Sequence, residues 1–318
     1  MVLKLLGMLL GVIGSGMGSN GLSDRTGHIS VMELENLLRN REHYSYQSSN
    51  EILKQAPSQI SRSAAVLASR RFIDSTKTMS LVGDQLSALF VDLPTLKFSI
   101  ETDQPVHYVL MRHRILEDSL KSINDLEQVV ILGSGFDTTS IRNCGNGIEF
   151  FEVDRPGVLH FKDSVLRQSN VGALSNPIGI DVRNIDDLKE VLRKTDPSKN
   201  TFIMAEGFFM YFDQEFIAEA LNVITEYYDN VSIGFDHLMP AYGLDENNKK
   251  VIDRLKTAGK ESVRSFFSSN SIDEILSPSF WSIDIWTPSR LQKKYLDSEW
   301  AGRDDKYVAI IQPRSECP

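Results

Sequence analysis

Four short apolar runs in this sequence end on a carboxylate. Asp154 closes residues 148–153, Asp181 closes 178–180, Glu206 closes 201–205 and Asp236 closes 231–235. A fifth acid, Asp137, stands just past a glycine pair, Gly133 and Gly135, that follows the apolar run 129–132. In an open parallel sheet the carboxyl ends of the strands border the crevice that holds the ligand. One acid at such an end commonly caps the next helix. Several converging on one crevice repel one another unless a ligand supplies donors or positive charge.

The glycine pair tells what kind of ligand that is. Gly133 and Gly135 have no Cβ, so the backbone turns sharply there and a ligand can come close. Strand, glycine turn, helix, strand and terminal acid together describe a nucleoside-binding half. A dinucleotide is one candidate, because Asp154 lies 19 residues after Gly135. However, Thr138 occupies the place of the third glycine of that fingerprint, and Asp137 puts negative charge where a pyrophosphate would sit. S-adenosylmethionine has no phosphate. Its ribose hydroxyls, adenine amine, ammonium and sulfonium suit a ring of acids, and the acid series favours it over NAD.

Alternating elements position these residues. Helical spacing covers 31–41, 58–75 and 107–123, the last carrying Arg112 and Arg114. From 129 onward, strands at 129–132, 148–154, 178–180, 201–205 and 231–235 alternate with helices at 157–167, 184–194 and 213–228. Asn184 is the expected N-cap of the second of these, with Asp187 in its first turn. Such alternation predicts an α/β fold with a doubly wound parallel sheet. Residues 239–278 interrupt it and are expected to form an inserted helical cap, with a helix over 245–267. Strands at 281–286 and 307–312 flank a helix opened by Pro288.

Composition narrows the function classes. The chain has 318 residues, and its net charge of -9 argues against a broad nucleic-acid-binding surface. Two cysteines, Cys144 and Cys317, read as free thiols of a reduced, cytoplasmic protein. No Cys/His group has metal-ligand spacing, so no metal is expected. Residues 1–30 are expected to be a hydrophobic and flexible extension, with 31–318 as a single domain. The apolar run 5–13, preceded by Lys4, is compatible with a secretory signal, a membrane-associating helix or an extension packed on the domain.

Val130-Ile-Leu-Gly-Ser-Gly-Phe-Asp-Thr-Thr-Ser-Ile-Arg142 resembles the signature of the leucine carboxyl methyltransferase family. Matching stretches follow one order: Ser63 to Ser75, Tyr108 to Asp118, Phe150 to Pro156, Ile180 to Arg183 and Ala205 to Tyr211. The resemblance implies a class I methyltransferase fold that binds S-adenosylmethionine and methylates a carboxylate, on a protein C-terminus or a small molecule. It implies that Gly133 and Gly135 border the methionine part, Asp154 binds the ribose, and Asp181 with Val182 holds the adenine; Asp137 is expected among the cofactor-binding residues. Glu206 would sit near the amino group, and Arg70 and Arg112 would hold carboxylates of donor or acceptor. Tyr211 would border the acceptor, while Arg71 and Arg114 would serve the structure. On that basis Arg112→Ala is expected to spare the fold and remove turnover. Ser134 replaces the family's usual alanine, and Gly207-Phe208-Phe209 is bulkier than its common run. A non-catalytic nucleoside-binding scaffold and an NAD-dependent oxidoreductase are the alternatives.

Overall fold

The computed structural model describes residues 62–92, 95, 96, 99, 106–145, 147–254, 256, 262–276 and 281–314. The expectations for residues 1–61, including the hydrophobic run and the helix at 31–41, lie outside these. Seven strands form one sheet. They are β1 (Gln128–Leu132), β2 (Glu149–Asp154), β3 (Asn176–Gly179), β4 (Thr201–Ala205), β5 (Val231–Leu238), β6 (Trp281–Trp286) and β7 (Lys306–Pro313). Their order is β3-β2-β1-β4-β5-β7-β6. The first five are parallel, as the alternation predicts, but β7 runs antiparallel between β5 and β6. Strand periodicity reports a pleat and not a direction, which is why the sequence leaves this reversal open.

The helices in chain order are α1 (Arg62–Ser75), α2 (Val106–Ser122), α3 (Thr139–Arg142), α4 (Pro156–Gln168), α5 (Ile185–Leu192), α6 (Gln214–Tyr227), α7 (Glu246–Arg254), α8 (Asn270–Ile275) and α9 (Pro288–Leu296). Both faces of the sheet are covered. Val130, Leu132, Ile203 and Ile233 join α5, α6 and α8 in one core, whereas Val129, Ile131, Phe202 and Met204 join α2 and α9 in another. That alternation is the period-two pattern of a strand buried on both sides. The close fit of α2 to the sheet depends on Gly234, where a Cβ would come within 2.7 Å of Leu116 and Phe202.

Local chemistry sets several boundaries. Asn184 caps α5 in a reciprocal box with Asp187, as its sequence predicts. The predicted helix over 245–267 is seen in part: α7 covers Glu246–Arg254, Lys256 has a π-helical turn, and residues 262–268 have no regular structure. Burial of Phe267 draws this stretch onto the sheet, where its N–H donates to Leu238 O at 2.9 Å. Ile272 and Leu276 continue the same core, and α8 packs on α6. The expected cap is therefore, in this part, woven into the sheet's flank. Among the described residues no helix is long and apolar enough to cross a membrane.

Candidate donor-binding site

Leu132 ends β1 in the core, and the chain then turns through Gly133 at φ +67° and Gly135 at φ +45°. Other L-residues pay a steric cost there of about 1–2 kcal/mol. At Gly133 an added Cβ would also lie 2.9 Å from Phe208. The turn is tied to the end of β2: Ser134 N–H donates to Val153 O at 3.0 Å, and Gly135 N–H donates to Asp154 Oδ2 at 2.8 Å. Arg155 N–H donates to the other oxygen, Oδ1, at 2.7 Å. Burial pushes the Asp154 carboxyl up against these bonds, although its side chain is still 13% exposed. Ile180 N–H donates to Asp154 O at 3.1 Å, which sets Asp181 and Val182 beside the same strand end. Asp181 is 37% exposed and paired with Arg183.

Beyond Gly135 the acids are differently held. Asp137 Oδ1 accepts from Thr139 N at 2.9 Å and Thr139 Oγ1 at 2.8 Å, and α3 is only one turn long. Burial disfavours its charge, but His113, Arg71 and Arg142 outweigh that and hold its carboxyl well below the usual range. Glu206, at the end of β4, is gripped from α2. Arg112 Nε donates to its Oε1 at 2.9 Å, and His113 Nδ1 lies 2.6 Å from its Oε2. Here too burial is outweighed, by Arg112 and then His113, and the carboxyl falls to about 2.

Arg112 is the hub of this end. Its Nη1 donates to Asp236 Oδ2 at 2.8 Å, and Asp236 Oδ1 in turn accepts from Gly207 N–H at 2.5 Å. Its Nη2 lies 2.7 Å from Glu206 Oε1, yet makes no aligned hydrogen bond. The distance marks charge contact, and the directional bonds run through Nε and Nη1. Deleting this side chain would strand two buried carboxylates, so Arg112 supports the fold, contrary to the expectation that Arg112→Ala spares it. Asp236 sits within β5 and not at its end, and burial raises its carboxyl.

The network continues to α1. Arg142 Nη1 lies 2.6 Å from Glu117 Oε1, and Arg142 Nε lies 3.6 Å from Asp84. Asp84 accepts from Thr138 Oγ1 at 2.6 Å and from Arg71 Nε at 2.9 Å, while Arg71 Nη2 donates to Phe136 O at 2.8 Å. Arg71 thus fastens α1 to the glycine turn, and Arg70, its neighbour, is buried. Arg114 faces outward to Asp118 at 2.7 Å. Tyr211 is half-buried at the end of a short 3-10 turn, Phe209–Tyr211, that follows β4.

The structure therefore brings Gly133, Gly135, Asp137, Asp154, Glu206 and Arg112 together at the carboxyl ends of β1, β2 and β4, with Asp181 and Val182 just past β3. Sequence reasoning missed His113, Glu117 and Asp84. A signal was present for two of them. Leu110, His113 and Glu117 fall at i, i+3 and i+7, so the apolar Leu110 marks their stripe of α2 as buried. A separate surface hollow, lined by Leu120, Ile123, Leu126 and Ile148, lies beside the amino ends of β1 and β2, away from these acids.

Comparison with known proteins identifies the family. The family model described as leucine carboxyl methyltransferase matches residues 60–225. A protein of Mycobacteroides abscessus named "Putative S-adenosyl-L-methionine-dependent methyltransferase" is 28% identical over 175 residues, covering 48% of this chain and 58% of its own. A protein of the same name from Mycolicibacterium gilvum is 28% identical over 192 residues, covering 53% and 63%. The chain thus spans about three fifths of the length of these curated relatives. Among solved structures, a "putative methyltransferase" from Thermobifida fusca YX superposes with a TM-score of 0.54 at 13% identity, covering 81% of this chain and 97% of its own. A DUF574 family protein from Streptomyces avermitilis MA-4680 gives a TM-score of 0.51 at 12% identity, covering 79% and 97%. These two likenesses concern the fold alone. With over half its length matched by the family model, this chain belongs to the leucine carboxyl methyltransferase family.

Proposed function

We propose that the protein uses S-adenosylmethionine to methylate an acceptor carboxylate, producing a methyl ester. The observation that carries this reading is the set of three carboxylates, Asp137, Asp154 and Glu206, gathered around the Gly133–Gly135 turn. Such a set repels phosphate and receives hydroxyls, an ammonium and a sulfonium. Asp154 already accepts two backbone N–H groups, and its remaining lone pairs suit the paired ribose hydroxyls. Asp181 and Val182 would flank the adenine. The names of the mycobacterial relatives point to the same donor. Bound there, the donor supplies a methyl group on sulfur, and the S–C bond breaks with its electron pair kept by sulfur.

The chain's own residues would bind and orient. An acceptor carboxylate is already ionised at neutral pH, since free carboxyls titrate near pH 4, so no side chain need remove a proton. Orientation and exclusion of water then carry the rate. Arg112 is the proposed orienting cation, and it would have to share a guanidinium already in contact with Glu206 and Asp236. Tyr211 and Arg70 are the remaining polar groups proposed to border the acceptor.

The acceptor class is tested by incubating the protein with labelled donor and a panel of carboxylates, peptides with a free C-terminus among them. Mass spectrometry should locate the new methyl on a carboxyl oxygen, in an ester that mild base removes. A base-stable methyl on nitrogen, carbon or a hydroxyl would overturn the carboxylate assignment.

A further inference from the structure

Asp181 stands two residues past β3, where the chain has left the sheet on its way to α5. Ile180 N–H donates to Asp154 O at 3.1 Å, which keeps this strand end beside that of β2. The Asp181 side chain is 37% exposed, and a carboxylate so open to water turns freely unless a neighbour holds it. That neighbour is Arg183. Its Nε donates to Asp181 Oδ2 at 2.9 Å, and its Nη2 donates to the same oxygen. A guanidinium fork can embrace both oxygens of a carboxylate, but here it takes one of them twice. Oδ1 receives no hydrogen bond from any described residue. One oxygen is occupied and the other is presented.

The arginine is itself tethered. Arg183 N–H donates to Asp187 Oδ2 at 2.8 Å, and Asn184 N–H donates to that oxygen at 3.2 Å. Asn184 Oδ1 accepts from the N–H groups of Asp186 and Asp187, which closes the box that starts α5. Leu188, Val191 and Leu192 then bury the other face of that helix in the core. A line of contacts therefore runs from the core, through the first turn of α5 and the Arg183 backbone, to Asp181. Arg183 is 77% exposed, and an ion pair this wet adds little to stability. What it contributes is the orientation of its partner.

We propose that Arg183 is a positioning residue for nucleobase selection: it holds Asp181 so that Oδ1 accepts from the 6-amino group of adenine. This rests on the donor assignment above. An ionised carboxylate oxygen can only accept. A 6-amino purine offers it an N–H, whereas a 6-oxo purine offers a carbonyl oxygen, and two acceptors repel. With Nε and Nη2 both spent on Oδ2, those donors are turned away from a 6-oxo group. Without Arg183 the Asp181 side chain loses its fixed orientation, and the bond to the amine must also order it.

The test is calorimetric titration of the full chain with S-adenosylhomocysteine and with S-inosylhomocysteine, its 6-oxo analogue. Wild type should prefer the adenine ligand. In Arg183→Ala that ligand should weaken by about two- to fivefold, the range of an exposed ion pair, while the inosine ligand weakens less. Asp181→Ala should shrink the preference at least as far, and adding Arg183→Ala to it should change nothing further. Equal weakening of both ligands in Arg183→Ala would mark a purely structural role and overturn the proposal. So would no weakening, or an Arg183 effect that survives in the Asp181→Ala background. Wild type binding both ligands alike would refute the selection and leave the donor assignment standing. Binding of neither would remove both.

Discussion

The two ends of this strand-end acid cluster hold their carboxylates by different means. At the open end, Asp154 is held by two backbone N–H groups, and Asp181 by the exposed Arg183. At the closed end, Asp137 and Glu206 are each 11% exposed and sit among buried side-chain cations. Backbone donors carry no net charge, so Asp154, with Arg155 only at 3.9 Å, keeps acceptor capacity for hydroxyl donors, while Asp181 shares its charge with an exposed partner. The closed end is already balanced internally, and a cation entering it must share or displace existing partners. Recognition at the first is therefore additive, whereas at the second it is an exchange.

Substitutions should separate these modes. Arg112→Ala carries the largest expected effect: two stranded carboxylates should cost about 3–5 kcal/mol, read as a fall in denaturant midpoint, with turnover lost. Unchanged stability would break the contrast. Asp154→Ala should act on binding instead. Loss of charge-assisted bonds worth about 1.5–3 kcal/mol each weakens the donor by about 100-fold or more, with a smaller change in stability. Gly133→Ala should cost about 1–2 kcal/mol for its φ of +67°, and more if Phe208 cannot yield.

The pH dependence follows from the closed end. Glu206 and Asp137 ionise below the usual carboxylate range in the folded protein. Their stabilisation is full above about pH 4, the unfolded value, and is lost as pH falls through the folded ones. Asp154 and Asp236, raised chiefly by burial, act in the opposite sense. Glu206→Gln should flatten the acid limb of a stability profile followed by circular dichroism. A limb as steep as wild type's would mean that Glu206 is not held by α2 as described.

The open end was the more legible in sequence, for a physical reason. Asp154 and Asp181 follow apolar runs directly, and a strand end is visible one-dimensionally. The β1 run and the Asn184 cap are equally local signals. The closed end depends on α2, which is separated from Glu206 by 94 positions at Arg112. On a helix read alone, an arginine, a histidine and a glutamate look like a solvated face. Only the stripe shared with Leu110 betrays their burial, and no local pattern reveals which acids they meet. The insertion of β7 between β5 and β6 is likewise a pairing, invisible to periodicity.

The central claim is that the acids around Gly133–Gly135 bind a sulfonium nucleoside through Asp154. Calorimetry of wild type and Asp154→Ala with S-adenosylhomocysteine, alongside NAD, tests it most directly. Expected is saturable binding of the nucleoside to wild type, none to the variant and none of NAD to either. Wild-type affinity in the variant, or binding of NAD in place of the nucleoside, would contradict it.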